Sequence, residues 1–400
     1  MDAQPIKEVT ILSYYVGIDI AKFKHDCCIT TDDAVVIRTP FTFPNNDDGF
    51  QQLKNVLDQL NHSQKIKVGL EATGHYGRNL ILFLTSLGYE ISQLNPYLVK
   101  KYSEKTTLRR TKTDKKDSLL ICRYLEFEAS KSNQSLSYSF NDLKSLTRAR
   151  DKFVRERSDH LVIVTNCLDR MFPEYKSFFE GKLGKCATEI LLKFTTPERI
   201  SKMTDTQIVK MHNLSKTISV NKLIRLKDLA KLTVGHSSKS DEILIKQSIQ
   251  MIRVIDERIK EIEEEIKLIM KEIKSPIESI PGIGVISAAT ILGEFGDIAR
   301  FSSPNKLLAY AGLEPSKNDS GEHKGQGHMV KHGSNHLRYV LMNIAISVKN
   351  HAPTFTTYYL KKRDEGKCYR VALSHVVRKL LRVIFKLVST NEKYSLDSSK

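Results

Sequence analysis

The sequence predicts an α/β domain over residues 1–135, followed by a mostly helical remainder. Short β-rich runs alternate with helical patterns between residues 14 and 94. The region 136–275 is poor in glycine and proline and contains a heptad repeat of isoleucines. Turn and capping signals return over residues 276–388, between further helical patterns. These observations together predict an α/β plus α protein with a coiled-coil middle.

The charge of the chain favours a polyanionic partner. Its 400 residues include 63 Lys and Arg against 46 Asp and Glu, which gives a formal net charge of +17. The isoelectric point is near 9.4. Such an excess of positive charge is typical of proteins that bind nucleic acid.

The sequence gives no sign of a membrane or secreted protein. No apolar run approaches the roughly 20 residues that a membrane-spanning helix needs, and the first residues lack the layout of a signal peptide. The cysteines form no Cys-x-x-Cys pair, which predicts reduced, mostly buried thiols in a cytoplasmic protein. They are Cys27, Cys28, Cys122, Cys167, Cys186 and Cys368.

The first elements follow the order βββαβαβα. A two-stranded hairpin is predicted over 14–31, further strands over 35–39, 66–71 and 89–94, and helices over 47–60 and 79–87, the last closed by Gly88. This is the order of a ribonuclease-H-like domain, in which the first and fourth strands lie side by side. Asp19 and Glu71 stand where these two strands end, so they are expected to approach one another.

Two further acids lie in the stretch Lys112-Thr113-Asp114-Lys115-Lys116-Asp117. Asp114 and Asp117 are three residues apart on a predicted helix, so they share one face. If both meet Asp19 and Glu71, four carboxylates can hold Mg²⁺, a hard cation that prefers oxygen ligands. The basic flank would accept phosphate, and its candidate nucleic-acid contacts are Arg109, Arg110 and Lys112. The alternative is a solvated charged helix and two unrelated acids.

The clearest periodicity runs from Ile252 to Ile273, where isoleucines alternate spacings of three and four residues. This predicts a heptad seam with Ile at both core positions, a composition that favours more than two strands. A coiled coil joining subunits of a dimer or tetramer is therefore expected. The alternative is packing of the seam on the helical pattern Leu143–Leu168 of the same chain.

The C-terminal part opens with a Gly-x-Gly turn at Gly282 and Gly284. Between two helices such a turn exposes backbone N–H groups to phosphate, as in helix-hairpin-helix motifs that bind DNA. A simple tight turn is the alternative. Ser303-Pro304 predicts a helix start and Gly312 a helix end.

A polar, glycine-rich segment from Leu313 to Gly327 is too long for an ordinary connection, which predicts a functional loop. Helices are expected from about Asn335 to Val348 and from Arg370 to Val388. Residues 389–400 are expected to form a flexible tail.

The order of short motifs resembles one transposase family, the insertion-sequence one-hundred-ten (IS110) family. These DEDD recombinases use a bridge RNA. The similarity extends from Tyr14 to about Val388. The motifs are Gly17-x-Asp19, Glu71-x-Thr73-Gly74, Lys112-Thr113-Asp114-x-x-Asp117, Pro281-Gly282-Ile283-Gly284, Ala311-Gly312-Leu313-x-Pro315, Ser320-Gly321 and Lys331-x-Gly333-x-x-x-Leu337-Arg338.

The resemblance implies that Asp19, Glu71, Asp114 and Asp117 bind Mg²⁺ in a RuvC-like domain. It also implies that Ser320 attacks a DNA phosphodiester and forms a covalent phosphoserine, with a bridge RNA as guide. The expected activity is therefore excision and integration of an insertion sequence. Two departures from the family pattern are Ser118, where alanine is usual, and His328-Met329-Val330-Lys331 in place of Ile-Ser-Lys.

Other nucleophiles and ligands are less favoured. Tyr310 lies in an apolar helix and is expected in the core, and Ser316 lacks a following glycine. The histidines lack accompanying cysteine or carboxylate ligands, so zinc is not expected. We expect these residues to contact phosphate instead: His323, His328, His332, His336, Lys331 and Arg338.

The sequence is compatible with two other functions. In a junction-resolving nuclease, activated water would replace Ser320 as the attacking group. In a non-catalytic nucleic-acid scaffold, positive charge alone would drive binding. An active site composed of two subunits is also expected, since the coiled coil separates the acids from the serine along the sequence.

Overall fold

The computed structural model describes residues 13–32, 35–71, 76–94, 96–106, 114–129, 138–181, 183–214, 218–314, 319–320, 323–324 and 333–395. The chain divides into two compact units, of which the first ends at Leu136 and the second begins at Ser137. Among the described helices, none combines the length and the apolar character required to cross a membrane.

The described part of the first unit consists of a five-stranded sheet and four helices. The strands are β1 Ser13–Ile20, β2 Lys24–Thr31, β3 Val36–Pro44, β4 Lys65–Glu71 and β5 Glu90–Leu94. The helices are α1 Asp47–Asp58, α2 Arg78–Ser86, α3 Pro96–Thr106 and α4 Asp114–Ala129.

The strand order is β3-β2-β1-β4-β5. β1 is antiparallel to β2 but parallel to β4, and β4 is parallel to β5. The predicted neighbourhood of the first and fourth strands is therefore confirmed. A mixed sheet of this order is compatible with a ribonuclease-H-like domain.

Alternating residues of β1 enter two cores on opposite faces of the sheet. Val16 and Ile18 pack with residues of α1 and α2. Tyr15 packs on the other face with Ile121 and Leu125 of α4. The sheet is thus covered on both sides, and α4 lies on the face that Tyr15 shares with Asp19.

The described residues of the second unit are helical apart from one small hairpin. Its helices are α5 Tyr138–Met171, α6 Glu174–Phe178, α7 Lys185–Phe194, α8 Pro197–Ser201, α9 Asp205–Leu214, α10 Val220–Leu232, α11 Lys239–Ile273, α12 Val285–Phe295, α13 Pro304–Tyr310, α14 Asn335–His351, α15 Pro353–Asp364 and α16 Tyr369–Thr390. Its strands are β6 Asp319–Ser320 and β7 His323–Lys324.

The isoleucine seam of α11 packs along α5 of the same chain. Ile252, Ile255 and Ile266 are buried, and charged pairs such as Arg150–Glu263, at 2.9 Å, link the two helices. The internal alternative is therefore what the single chain adopts, because a heptad pattern requires a covered seam but does not specify which helix covers it. Oligomerisation through this region stays a prediction.

The hairpin of α5 and α11 joins two separate hydrophobic cores. At one end, helices α6–α10, which we call the helical head, surround a core that includes Leu168, Phe172 and Ile249. At the other end, Leu143 and Ile266 join a larger core formed mainly by α12–α16.

The chain stays packed beyond the end of α16. The backbone N–H of Tyr394 donates to Ser279 Oγ at 2.8 Å, and its hydroxyl lies 2.7 Å from Thr354 Oγ1. Its ring also lies 6.4 Å from that of Phe355. Tyr394 thus has both polar and aromatic partners within the second unit, and the flexibility of residues 389–400 stays a prediction.

Candidate active site

The sheet brings two of the predicted acids to one edge. Ile18 of β1 stands opposite Leu70 of β4 in a parallel register. The next residues, Asp19 and Glu71, therefore reach the carboxyl edge of the sheet together and project from the same face. Asp19 has the same parity along β1 as Gly17, which touches α4.

Helix α4 is pressed against the middle of β1. The Gly17 amide donates to Cys122 Sγ at 3.0 Å. A Cβ at Gly17 would lie only 2.4 Å from the Ser118 carbonyl oxygen. The turn of α4 that contains Asp117 thus lies over the strand that ends in Asp19.

The thiol of Cys122 also joins α4 to β2. It donates to the carbonyl oxygen of Cys28 at 3.1 Å. Burial, together with the hydrogen bond to Cys28, raises the pKa of Cys122 well above its ordinary value. This neutral thiol therefore has a structural role, and the predicted reduced, mostly buried cysteines are confirmed: five are buried and Cys368 is exposed.

Sequence reasoning missed a further acid at this site, Asp26. It stands directly opposite Asp19 in the antiparallel register of β1 and β2. Its carboxylate is buried and accepts a hydrogen bond from Thr42 Oγ1 at 2.5 Å. Like charges opposite each other on neighbouring strands are unfavourable, so this position favours a cation nearby. The sequence feature that could have identified Asp26 is its position as an acid inside a β-rich run.

The complete four-carboxylate centre stays a prediction. Asp114 is the first residue of α4, and its side chain lies outside the described residues. Within the part of the chain that is described, no three His, Cys, Asp or Glu side chains are placed to hold an ion. The structure brings Asp19 and Glu71 to one edge and the Asp117 turn over the same strand.

The serine of the Ser-Gly pair lies in a small hairpin of the second unit. Ser320 ends β6 and stands opposite His323 of β7. The side chains of both residues lie outside the description, as do residues 315–318, 321–322 and 325–332. We refer to residues 314–332 as the serine segment.

The two ends of the serine segment are held close together. Arg378 Nε donates to the carbonyl oxygen of Leu313 at 3.2 Å, and Arg338 Nη1 donates to that of Ala311 at 3.4 Å. Gly333 has a φ of +144°, and a Cβ there would lie 2.6 Å from the Tyr310 carbonyl oxygen. Helices α13, α14 and α16 therefore form a defined base for this segment.

Beneath this base lies a buried carboxylate that the sequence did not single out. Glu294 accepts hydrogen bonds from Arg148 Nε at 2.6 Å and Nη2 at 3.1 Å. It also accepts one from Ser334 Oγ at 3.2 Å. Burial acts to raise the pKa of Glu294, but the Arg148 hydrogen bonds and the nearby positive charges outweigh it, so the pKa lies below its ordinary value. Glu294 therefore links α5 to the downstream end of the serine segment as a charged group.

The Gly-x-Gly turn has a packing role at its first glycine. Gly282 has a φ of +91°, and a Cβ there would lie 2.9 Å from the backbone of Ser347 in α14. Gly284 precedes α12 and has open space around it. A 3₁₀ helix, Pro276–Ser279, precedes the turn, and α12 follows it. Phosphate binding here stays a prediction.

The structure describes only some of the other residues that the sequence suggested as nucleophiles, metal ligands or phosphate contacts. Arg338 also donates to the Asn335 side chain. Tyr310 packs on Phe295, and its hydroxyl donates to the Glu294 carbonyl oxygen at 3.3 Å; it is half-buried and packs against the large core. His336 lies 3.6 Å from Asp151. Outside the described residues lie Arg109, Arg110, Lys112, Ser316, His328, Lys331 and His332.

Two family models match this chain. A model of DEDD transposases of IS110, described as "Transposase", matches residues 16–173. A second, described as "Transposase IS116/IS110/IS902 family", matches residues 274–360. Together they cover more than half of the chain and include most of β1, all of α4 and the serine segment.

Several curated proteins are similar over nearly their whole length. The pilin gene-inverting protein of Moraxella lacunata is 25% identical over 385 residues, 95% of this chain and 97% of that protein. The mini-circle putative transposase for IS117 of Streptomyces coelicolor is 22% identical, covering 96% and 95%. The insertion element IS116 uncharacterized 44.8 kDa protein of Streptomyces clavuligerus is 21% identical, covering 94% of each. With the matched acid and serine motifs, these similarities show that the chain belongs to the IS110 family of insertion-sequence transposases.

Proposed function

We propose that this transposase excises and integrates its insertion sequence through a covalent phosphoserine. The acids Asp19, Glu71, Asp114 and Asp117 would form the metal centre, and Ser320 would be the nucleophile. The observation that supports this most is the parallel register of β1 and β4, which brings Asp19 and Glu71 to one sheet edge under α4.

The donor set suits the proposed metal. Carboxylate oxygens are the ligands that Mg²⁺ prefers, and it is commonly bound by a few carboxylates together with substrate phosphate. The buried carboxylate of Asp26 opposite Asp19 adds negative charge at the same place. When bound, Mg²⁺ would supply Lewis-acid polarisation of the phosphoryl oxygens.

The proposed role of Ser320 is nucleophilic attack. Its Oγ forms a bond to phosphorus, and one phosphorus–oxygen bond of the DNA backbone breaks. The serine proton is lost, and the departing deoxyribose oxygen gains one. A new DNA hydroxyl can then reverse the step, which rejoins DNA and frees the serine. A serine hydroxyl is a weak nucleophile on its own, so it needs an activating group.

The partners and assembly follow from the same proposal. DNA is the substrate, and a bridge RNA guides the choice of site. Dimers or tetramers would unite acids and serines from different copies. We also propose the domain roles: 1–135 for the metal centre, 136–275 for assembly, and 276–388 for the serine. Candidate nucleic-acid contacts are Arg109, Arg110, Lys112, Gly282, Gly284, Lys331 and Arg338.

Incubation with DNA carrying the element ends, flank-derived RNA and Mg²⁺ tests the proposal. A denaturing gel should show a protein–DNA adduct, and mass spectrometry should locate phosphate on Ser320. Ser320→Ala should abolish adduct and cleavage, whereas Ser316→Ala serves as the control and should retain both. Omitting RNA should prevent cleavage at the specific site.

The same assay separates the alternatives. Cleavage by Ser320→Ala without an adduct would identify a nuclease that uses water. Full cleavage by Asp117→Asn would exclude the metal centre, and DNA binding without cleavage by the wild type would favour a scaffold. Asp58→Asn is the matched control, because Asp58 is exposed and pairs with Lys54 away from the sheet edge.

A further inference from the structure

Helix α16 has a strongly one-sided charge distribution. Its 22 residues include five Lys or Arg and no Asp or Glu. At 100° per residue, four of these cations and one histidine fall within an arc of about 100°. We call this set the cationic face of α16: His375, Arg378, Lys379, Arg382 and Lys386.

The rotation of α16 is fixed by the opposite side of the helix. Leu380, Ile384 and Leu387 are buried in the large core of the second unit. An amphipathic helix directs its polar stripe away from such a core. Arg382 and Lys386 are accordingly exposed.

The cationic face has no acidic partner among the described residues. Arg378 donates to a neutral carbonyl group, and Lys379 lies over the rings of Tyr358, at 5.1 Å, and Phe355, at 5.6 Å. Glu365, the acid whose charge acts on His375, already pairs with Lys362 at 2.8 Å. The positive charge is therefore not neutralised within this unit's described part.

Burial, together with the positive charges of this face, lowers the pKa values of two of its own members, His375 and Arg378. Burial and then the positive charge of Arg378 lower the pKa of His375. Burial and the adjacent Arg382 likewise lower the pKa of Arg378. Like charges held together at a cost to stability indicate a surface arranged for an anionic partner.

The cationic face begins beside the base of the serine segment. Arg378 donates to Leu313, which directly precedes that segment. From His375 to Lys386 the helix rises about 16 Å at 1.5 Å per residue. This length corresponds to about five phosphates of one DNA strand, spaced 3.4 Å along the duplex axis.

We propose that the cationic face of α16 binds the phosphate backbone of the duplex DNA on which Ser320 acts. The choice of DNA as the bound partner rests on the proposed function, because the face adjoins the serine segment. The contacts are to phosphate, so they add affinity and fix the position of the duplex without reading its sequence.

Binding of the full chain to duplex DNA without Mg²⁺ tests this surface. The double variant Arg382→Gln/Lys386→Gln should bind roughly 10- to 30-fold more weakly near 0.15 M salt. The slope of log Kd against log salt should fall by about 1.8, because two phosphate contacts are lost. Arg378 is left unchanged because it also holds Leu313.

The matched control is Lys202→Gln/Lys210→Gln, which removes two exposed cations from the helical head. An equal loss in this control, or an unchanged affinity and slope in the α16 variant, would overturn the proposal. So would a loss confined to an RNA hairpin of the same length. Since no cleavage is measured, a failure of Ser320 as nucleophile would leave this result unaffected. Circular dichroism should show both variants folded.

Discussion

The backbone amide of Gly17 donates to the sulfur of Cys122 at 3.0 Å, which fixes α4 directly on β1. The strand carries Asp19 and the helix carries Asp114 and Asp117. The distance from Asp19 to Asp114 and Asp117 thus depends on the contact between β1 and α4 at Gly17. The two backbones are too close there for any side chain at position 17.

Gly17→Ala should therefore displace α4. The added Cβ would lie 2.4 Å from the carbonyl oxygen of Ser118 and 2.6 Å from the backbone nitrogen of Cys122. We expect a loss of roughly 1–3 kcal/mol in the free energy of unfolding, together with loss of DNA cleavage. Gly184→Ala, where a Cβ meets nothing within 4 Å, should cost less than about 1 kcal/mol. Denaturant titration measures both, and equal effects would contradict this account.

Asp26→Asn tests whether the opposed carboxylates await a cation. Asn keeps an oxygen for the Thr42 hydroxyl but removes one of two facing charges. In EDTA the variant should be more stable by a few tenths of a kcal/mol. The Mg²⁺ concentration needed for half-maximal cleavage should rise several-fold. A variant that needs no more Mg²⁺ than the wild type would place Asp26 outside the metal centre.

Glu294 should make stability depend on pH in the acid range. Its pKa is lower in the folded chain than its ordinary value of 4.5. Its stabilising contribution is therefore complete above pH 4.5 and is lost as pH falls through the folded value. Glu294→Gln should lose roughly 2–3 kcal/mol at pH 7 and less at the lowest pH at which the chain still folds. Glu265→Gln, on the exposed side of α11, should change stability by under about 0.5 kcal/mol.

Denaturant unfolding at the two pH values measures the Glu294 effect. A difference between wild type and Glu294→Gln that is independent of pH would mean that the carboxylate charge does not stabilise the native chain. A larger difference at low pH would reverse the sign of the argument.

A maleimide dye should label one thiol of the native protein. Cys368 is exposed and the other five cysteines are buried, so only Cys368 is accessible to the reagent. In denaturant all six should react, and Cys368→Ser should remove the native signal. Rapid labelling of a second native thiol would show that a core such as that around Cys122 opens readily.

The periodicity of the sequence predicted most of the first unit. The strands and helices follow patterns of period 2 and 3.6, and acids at strand ends indicated a shared sheet edge. The bounds of α3 were not predicted, although the element order includes a helix after the last strand, and α15 was not predicted. Both begin with proline, at Pro96 and Pro353, and a proline that ends one element can also start the next.

The roles of Asp26 and Glu294 could not be predicted from the sequence, because each depends on a partner that is distant along the chain or on another element. Asp26 and Glu294 are lone acids in apolar runs, and no spacing relates them to Asp19 or Arg148. Those relationships arise only when β1 pairs with β2 and α5 packs on α12. The partner of the isoleucine seam was ambiguous for a similar reason, because its pattern is the same within one chain and between chains.

The hairpin of α5 and α11 has a consequence for how this family can vary. A Cβ at Gly293 in α12 would lie 2.6 Å from the backbone nitrogen of Lys144 near the start of α5. After α11 the chain therefore returns to contact the first part of α5. Insertions, deletions or replacements in the helical head can therefore leave the contact between α12 and the start of α5 unchanged. Residues 144 and 293, which are 149 positions apart in the printed sequence, are therefore neighbours within the second unit.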